Sequence, residues 1–248
     1  MKKSFDFPKL FQKAVSGKDT AAIILAAGSS TRMGSGINKQ FQLINGIPVL
    51  AHTLLAYQRC ILIREIIVVA QPKDFDAIYK MSQAYQIKKL RHIIAGGTTR
   101  QESAARGFSK LSDNIRFVAI ADGARCLTTP EQITKICLRA YRHKAASAGH
   151  MISDTVKRTN SLGGIQETVD RTGLWQAQTP QVFHTSLYNA ALHHAAAESF
   201  EATDDNSLVE KLGYRIQMVE CGIENLKITT LDDLILADAI LQYREAHK

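Results

Sequence analysis

Short apolar runs rich in β-branched residues alternate along the chain with longer segments of helical periodicity. The pattern predicts strands at Ala21–Ala26, Glu65–Ala70, Arg91–Ala95, Phe117–Ala121 and Arg215–Val219. The first, second and fourth are almost continuously apolar, as parallel strands covered on both faces are. Helices are predicted over Pro48–Cys60, where proline takes a first-turn position, and over Asp74–Tyr85, Arg100–Leu111, Pro130–Lys144 and Leu231–Arg244. Strands alternating with helices specify an α/β fold with a doubly wound, mostly parallel sheet. From Ser153 to Gln178 the rhythm breaks. Polar and apolar residues alternate there around Gly163-Gly164, which reads as a β-hairpin arm projecting from the sheet. No internal repeat or low-complexity linker divides the rest. Residues 20–248 are expected to form one domain, with the arm at about 153–178 and residues 1–19 as a poorly ordered or loosely docked extension.

Composition narrows the class. Of 248 residues, 45% are hydrophobic and 22% charged, which is ordinary globular usage. No run of eighteen apolar residues suggests a membrane span, and the N-terminal stretch lacks the apolar centre of a secretory signal. Cys60, Cys126, Cys137 and Cys221 lie far apart without a CxxC pair, so reduced cytosolic thiols are expected rather than zinc or disulfides. His193 and His194 are adjacent on a predicted helix and point in different directions, which suits a surface better than a metal. The net charge is +8, yet Lys and Arg are spread without a tract of five or more. A phosphorylated small molecule fits that distribution better than nucleic acid does.

The chemistry concentrates at the end of the first strand. Leu25-Ala-Ala-Gly-Ser-Ser-Thr-Arg-Met-Gly34 is followed by Asn38-Lys39-Gln40. Open parallel sheets bind ligands at that edge, and small residues let backbone N–H groups approach phosphate oxygens. Arg32 can then meet phosphate charge as a planar fork and Lys39 as a point charge. The string is neither a Walker loop nor GxGxxG, since no GK[ST] follows and Ser30 stands at the second glycine position, which argues against a nicotinamide-dependent oxidoreductase. Asp122 ends a buried apolar strand, where a carboxylate needs compensation. A turn or cap aspartate is the other reading.

LAAGSSTRMGSGINKQF followed by NGIPVLAHTL resembles the nucleotidyltransferase signature of the 2-C-methyl-D-erythritol 4-phosphate cytidylyltransferase family. Four later segments continue it in order: GGTTRQESAARGF from Gly96, ADGARC from Ala121, DTVKR with TVDRTGLWQAQTPQVF from Asp154, and TDDNSLVEKLG with ENLKITTLDDLILAD from Thr203. The resemblance covers roughly Ala21 to the C-terminus. It implies a Rossmann-like nucleotidyltransferase fold, a homodimer formed through the β-arm, Mg²⁺ dependence, a cytoplasmic place in non-mevalonate isoprenoid synthesis, and no nucleic-acid or membrane partner.

The same resemblance distributes roles. Arg32, Lys39 and Lys227 become catalytic cations, and Asp122 holds the Mg²⁺. Ala26, Ala27, Gly28, Gly97, Ser103 and Asp122 cradle CTP, although Gly97 and Ser103 equally suit a turn and a helix start. Arg125, Thr155, Arg171, Thr179 and Thr203 fall to the sugar-alcohol phosphate, with Arg171 reaching a partner subunit's substrate. Arg125 suits a structural pairing with a carboxylate as well. Trp175 reads as a packing anchor of the arm rather than a base-stacking platform. The reaction implied is attack of a sugar-phosphate oxygen on the α-phosphorus of CTP, with pyrophosphate leaving, which asks the protein for positioning and charge rather than for a nucleophile.

The family's aspartate motif usually reads HDAARP, whereas this chain has Ala121, Gly123 and Cys126 at the His, first Ala and Pro positions. Gly123 is expected to add backbone freedom beside the metal ligand, and Cys126 to be a small buried filler. Ser30 and Asn206 replace the commoner Gly and Ala. Two rivals remain at this point. A ribitol 5-phosphate cytidylyltransferase shares most of these motifs, although TRQES and TVDRTGLW lean toward methylerythritol phosphate. A catalytically idle nucleotide-binding paralogue is suggested by ADGARC and opposed by the retained Arg32, Lys39, Asp122, Arg171 and Lys227.

Overall fold

The three nearly continuous apolar runs predicted as strands become buried strands. The structure, a computed structural model, describes residues 20–28 and 38–247. The extension over 1–19 and Arg32 therefore lie outside the described residues. In chain order the strands are β1 (Thr20–Leu25), the short β2 (Leu43–Ile44) and β3 (Ile47–Pro48), β4 (Ile63–Ala70), β5 (Leu90–Ala95), β6 (Phe117–Asp122), β7 (Ala145–Met151), β8 (Val156–Thr159), β9 (Ile165–Val169), β10 (Trp175–His184) and β11 (Gln217–Glu220). The α-helices are α1 (Val49–Arg59), α2 (Phe75–Ala84), α3 (Arg100–Phe108), α4 (Pro130–His143), α5 (Thr185–Ala197), α6 (Asp205–Glu210) and α7 (Leu231–Ala246).

Among the described residues, seven strands form the main sheet in the order β11-β7-β10-β6-β1-β4-β5. Its ladders are parallel except around β10, which runs antiparallel to both β6 and β7. Alternation along β1 feeds two cores. Ala22 and Ile24 face the layer of α1 and α4, with Leu50, Leu54, Ile133 and Ile136. Ile23 faces the opposite layer, with Ala104, Phe183, Tyr188 and Leu208. That period of two is the pleat itself. Each fully buried Ile or Leu contributes about 1.5–3 kcal/mol of transfer free energy, so the two layers hold the sheet flanked on both faces. Helix starts are capped as the sequence allows. Thr129 and Gln132 form a capping box ahead of α4, with Pro130 in its first turn, and Thr230 and Asp233 form another ahead of α7.

Besides the small β2–β3 ribbon, the structure adds to the main sheet two strands that the pattern does not predict. β7 is Ala-Ala-Ser-Ala-Gly-His-Met, whose small residues carry no β-branched signal, yet Ala145, Ala146 and Ala148 are fully buried. A Cβ on Gly149 would lie 2.9 Å from the carbonyl of Gln176, so this strand is thin because β10 passes close by. β10 claims Trp175–Gln178 for the main sheet, which shortens the predicted arm. The hairpin proper is β8 paired with β9, Val156 opposite Val169. All four cysteines are buried and free. No described helix is long and apolar enough to cross a membrane.

Candidate active site

The strand order places a switch point beside β1. The chain proceeds from β1 to β4 and β5 on one side, then crosses to β6 on the other. Parallel sheets open a crevice where such connections part. Leu25 at the end of β1 stands in register with Asp122 at the end of β6. The departing loops are hooked to neighbouring strands: Ala26 N–H donates to the Val69 carbonyl at 2.7 Å, Gly96 N–H to Ala70 at 3.0 Å, and Gly123 N–H to Leu25 at 2.8 Å. They frame a cavity of about 470 Å³ into which Ala27, Gly28, Lys39, Gly97, Ser103, Asp122 and Lys227 all face. Residues separated by up to two hundred positions thus meet at one sheet edge.

Asp122 is the carboxylate of that cavity. Its Oδ2 lies 3.0 Å from Lys227 Nζ and 3.4 Å from Arg125 Nε, and its Oδ1 lies 3.7 Å from Arg100 Nε. Burial works to raise its pKa, but Lys227, Arg100 and Arg125 more than offset that, and the carboxyl is held below its ordinary value. Among the described residues there is no cluster of three or more His, Cys, Asp or Glu able to cage a metal. A Mg²⁺ here would take one protein carboxylate, Asp122, with water and substrate phosphates as its other ligands.

Lys227 is seated by the residues around it. Asn225, two positions earlier, is fully buried. Its Nδ2 donates to Gln178 Oε1 at 2.9 Å and to the Thr179 carbonyl at 3.0 Å, and its Oδ1 accepts from Thr128 Oγ1 at 2.8 Å. Ile228 N–H donates to Ala124 at 2.8 Å on the far side of Lys227. The lysine therefore leaves a backbone fastened at both ends. Lys39 opens a 3₁₀ turn, Lys39–Phe41, capped by Asn38, whose Oδ1 accepts from Gln40 N–H at 3.1 Å.

The nucleotide-side residues are also tied locally. Thr99 caps α3, accepting from Glu102 N–H at 3.1 Å. Ser103 Oγ donates to the Thr99 carbonyl at 2.9 Å and accepts from Gly97 N–H at 3.0 Å, so its hydroxyl braces the Gly97 loop against the helix. A side chain on Gly97 would collide with Glu102, which accounts for the glycine. Ala26 is buried in the core at the root of its loop, outside the cavity lining.

The residues expected around the sugar phosphate are not gathered into this cavity. Arg125 stands behind Asp122 with its Nη1 donating to the Asn225 carbonyl at 2.5 Å, the structural pairing of its two expected roles. Thr179 is buried, and its Oγ1 accepts from Asp122 N–H at 3.0 Å, so the hydroxyl seats the aspartate instead of facing solvent. Thr155 and Arg171 are exposed at the arm, where Arg171 donates to the Ser153 carbonyl, and Thr203 is exposed ahead of α6. Arg100 and Gln40 line the cavity without having been anticipated. For Arg100 a signal existed: a cation in the first turn of a helix is disfavoured by the macrodipole and calls for acidic partners.

The aspartate motif's departures look different in three dimensions. Gly123 has no unusual φ. Its N–H is held by Leu25 and its carbonyl accepts from Thr53 Oγ1 at 2.9 Å, so the expected backbone freedom is absent. Ala121 packs into the core, and Cys126 is buried with its thiol pKa pushed up to about 12 by that burial.

Comparison with known proteins places this architecture among relatives. Residues 20–243 match the family model described as IspD, 2-C-methyl-D-erythritol 4-phosphate cytidylyltransferase. The protein of that description from Syntrophus aciditrophicus is 42% identical over 225 residues, covering 90% of this chain and 96% of its own. One from Synechocystis is 41% identical, covering 90% and 97%. The crystal structure of 4-diphosphocytidyl-2C-methyl-D-erythritol synthase from Anaerococcus prevotii superimposes with a TM-score of 0.78 at 32% identity, covering 90% of this chain and 98% of that one.

Proposed function

The chain belongs to the 2-C-methyl-D-erythritol 4-phosphate cytidylyltransferase family, and from that membership we propose that it transfers CMP from CTP to 2-C-methyl-D-erythritol 4-phosphate, releasing pyrophosphate. The observation that carries the reading is the convergence of Lys39, Lys227 and Asp122 with the Ala27–Gly28 and Gly97–Ser103 segments on one cavity. An oxygen of the sugar phosphate forms a bond to the α-phosphorus, and the bond to the bridging oxygen of pyrophosphate breaks. The nucleophile is already anionic at neutral pH, so no general base is required.

The protein's share is electrostatic. Lys227, held on a fastened backbone, presents its ammonium where charge builds on the α-phosphoryl oxygens, and Lys39 meets the triphosphate from the opposite loop. Arg32, seven positions before Lys39 in the sequence, adds a third cation in this reading. Ala27, Gly28 and Gly97 leave room for the nucleoside, since none carries a side chain larger than a methyl group. Asp122 would hold Mg²⁺, which when bound neutralises phosphate charge and stabilises the departing pyrophosphate. Its present contact with Lys227 keeps the carboxylate compensated until ligand charge enters. In this reading the enzyme works as a homodimer in the cytoplasm, with Arg171 and Thr155 of the arm serving the neighbouring subunit's sugar phosphate beside Thr203.

The test is pyrophosphate release by the full chain with CTP and Mg²⁺, supplied in parallel with methylerythritol phosphate and ribitol 5-phosphate. Release with the first and little with the second is expected. Release with neither overturns the proposal.

A further inference from the structure

One guanidinium at the cavity wall serves two carboxylates. Arg100 begins α3, with Nη1 2.5 Å from Asp205 Oδ2 and Nε 3.7 Å from Asp122 Oδ1. Asp205, from α6, is fully buried and does not line the cavity. Its other oxygen accepts from Tyr188 Oη at 2.6 Å. Oδ2 of Asp122 meanwhile meets Lys227 at 3.0 Å. Oδ2 is thus shared by Lys227 and Arg125, whereas Oδ1 faces Arg100, which is immobilised from behind by a second acid. Neither half is stable alone. A buried carboxylate deprived of its partner is strongly destabilising, and an arginine at a helix start works against the macrodipole. Burial opposes the charge on Arg100, but Asp205 and Asp122 more than offset it and raise its pKa above the ordinary value.

We propose that Arg100 is a positioning residue for the transfer reaction and that Asp205 acts through it, the pair fixing the rotation of the Asp122 carboxylate and with it the place of Lys227. The inference rests on the transfer reading above. The planar fork is essential to it: a guanidinium reaches two acids along two edges, whereas an ammonium is a single point of charge. Misplacement of a reacting group by about 1 Å can cost ~10²-fold in rate, so loosening this brace acts on turnover more than on binding.

The experiment compares steady-state pyrophosphate release by the full-length wild type, Arg100→Gln, Arg100→Lys, Asp205→Asn and the Arg100→Gln/Asp205→Asn double variant, with thermal unfolding of each. All assays run where the variants are fully folded. Asp205 does not line the cavity, so Asp205→Asn is the decisive single change. It should lower kcat by about 10-fold or more with each KM within about 3-fold, a split that mere loss of stability does not produce. Arg100→Lys should fall with Arg100→Gln, and the double variant should be no slower than Arg100→Gln alone. Wild-type kcat in Asp205→Asn, or a double variant whose loss is the product of the two single losses, overturns the inference. Should Asp205→Asn fail to fold, the double variant, which leaves no unpaired charge, decides in the same way: a 10-fold loss or more supports the brace, on the scale set by misplaced groups, and unchanged kcat removes it. If the wild type releases no pyrophosphate, the transfer reading is what falls. Ligand-free crystal structures of wild type and Asp205→Asn then decide the brace, because a rotated Asp122 carboxylate supports it and an unmoved one overturns it.

Discussion

The side-chain amide of Asn225 donates to the carbonyl oxygen of Thr179 at 3.0 Å, joining the segment that carries Lys227 to the strand whose threonine hydroxyl seats Asp122. Cation and carboxylate are therefore fixed relative to one another by a residue that touches neither. Asn225→Ala strands Gln178 Oε1 and the Thr179 carbonyl at once, while Thr128 Oγ1 keeps the Arg125 carbonyl. Leaving buried polar groups unsatisfied costs about 1–3 kcal/mol each, and the variant is expected to lose about 3 kcal/mol overall in urea unfolding. Its turnover should fall as well, and a variant with unchanged kcat would show that Lys227 finds its place without the clamp.

Lys227→Ala and Lys39→Ala are expected to fold normally and to turn over by ~10²-fold or more slowly, the range for losing a preorganised electrostatic group. Asp122 retains Arg100 and Arg125 in the first variant, so no buried charge is orphaned. Pyrophosphate release at the wild-type rate in either variant removes that lysine from the chemistry.

Arg171→Ala should raise the KM for the sugar phosphate and leave kcat nearly unchanged, as the loss of uniform binding does. The residue is exposed on the arm and supports no core, so its thermal midpoint should stay at the wild-type value. A fall in kcat at unchanged KM contradicts the assignment.

Acid should unfold the protein partly through Asp122. Its carboxyl is held below the ordinary value, so it contributes stability that is fully present above the unfolded pKa of about 3.9 and is lost as pH falls through the lower folded value. Asp122→Asn should flatten the acid limb of stability against pH by up to about one proton's slope. Chemical unfolding at stepped pH measures this, and an unaltered slope assigns the acid limb to other groups.

Gly123→Ala, which restores the residue usual in the family, is expected to destabilise this chain. The added Cβ would stand 3.0 Å from Gln40 Oε1, 3.1 Å from the Leu25 carbonyl and 3.2 Å from Leu50 Cδ1. Two of those neighbours are backbone or packed core, so overpacking costs about 1–3 kcal/mol. Equal or greater stability in unfolding experiments shows instead that the Gln40 amide yields without cost.

Much of this was legible along the chain because buried parallel strands cannot hide. β1, β4 and β6 must be apolar on both faces, and their runs announce them. β7 and β10 escaped for opposite reasons. β7 is built of small residues set for close approach, and β10 carries Gln, Thr and Pro where it braces the site, while Val182 and Phe183 further along it fill the core. Similar reasoning covers the site. Lys39, Asp122 and Lys227 sit in ordered motifs whose residue types match phosphate chemistry. The roles of Thr179, Asn225 and Arg100 are set by which strand lies beside which, information that no local window contains. Thr179 shows the limit well: a hydroxyl near a phosphate motif suggests a ligand contact, yet its partner is the backbone of the neighbouring strand.

β10 is also the stem of the hairpin arm. Because it runs against its neighbours, it enters the sheet at the edge where β6 ends, and the residues that follow the arm are within a few positions of Thr179. A pull on the hairpin is thereby a pull on the peptide that seats Asp122. Whatever grips the outer tip has a lever resting on the acid at the bottom of the crevice.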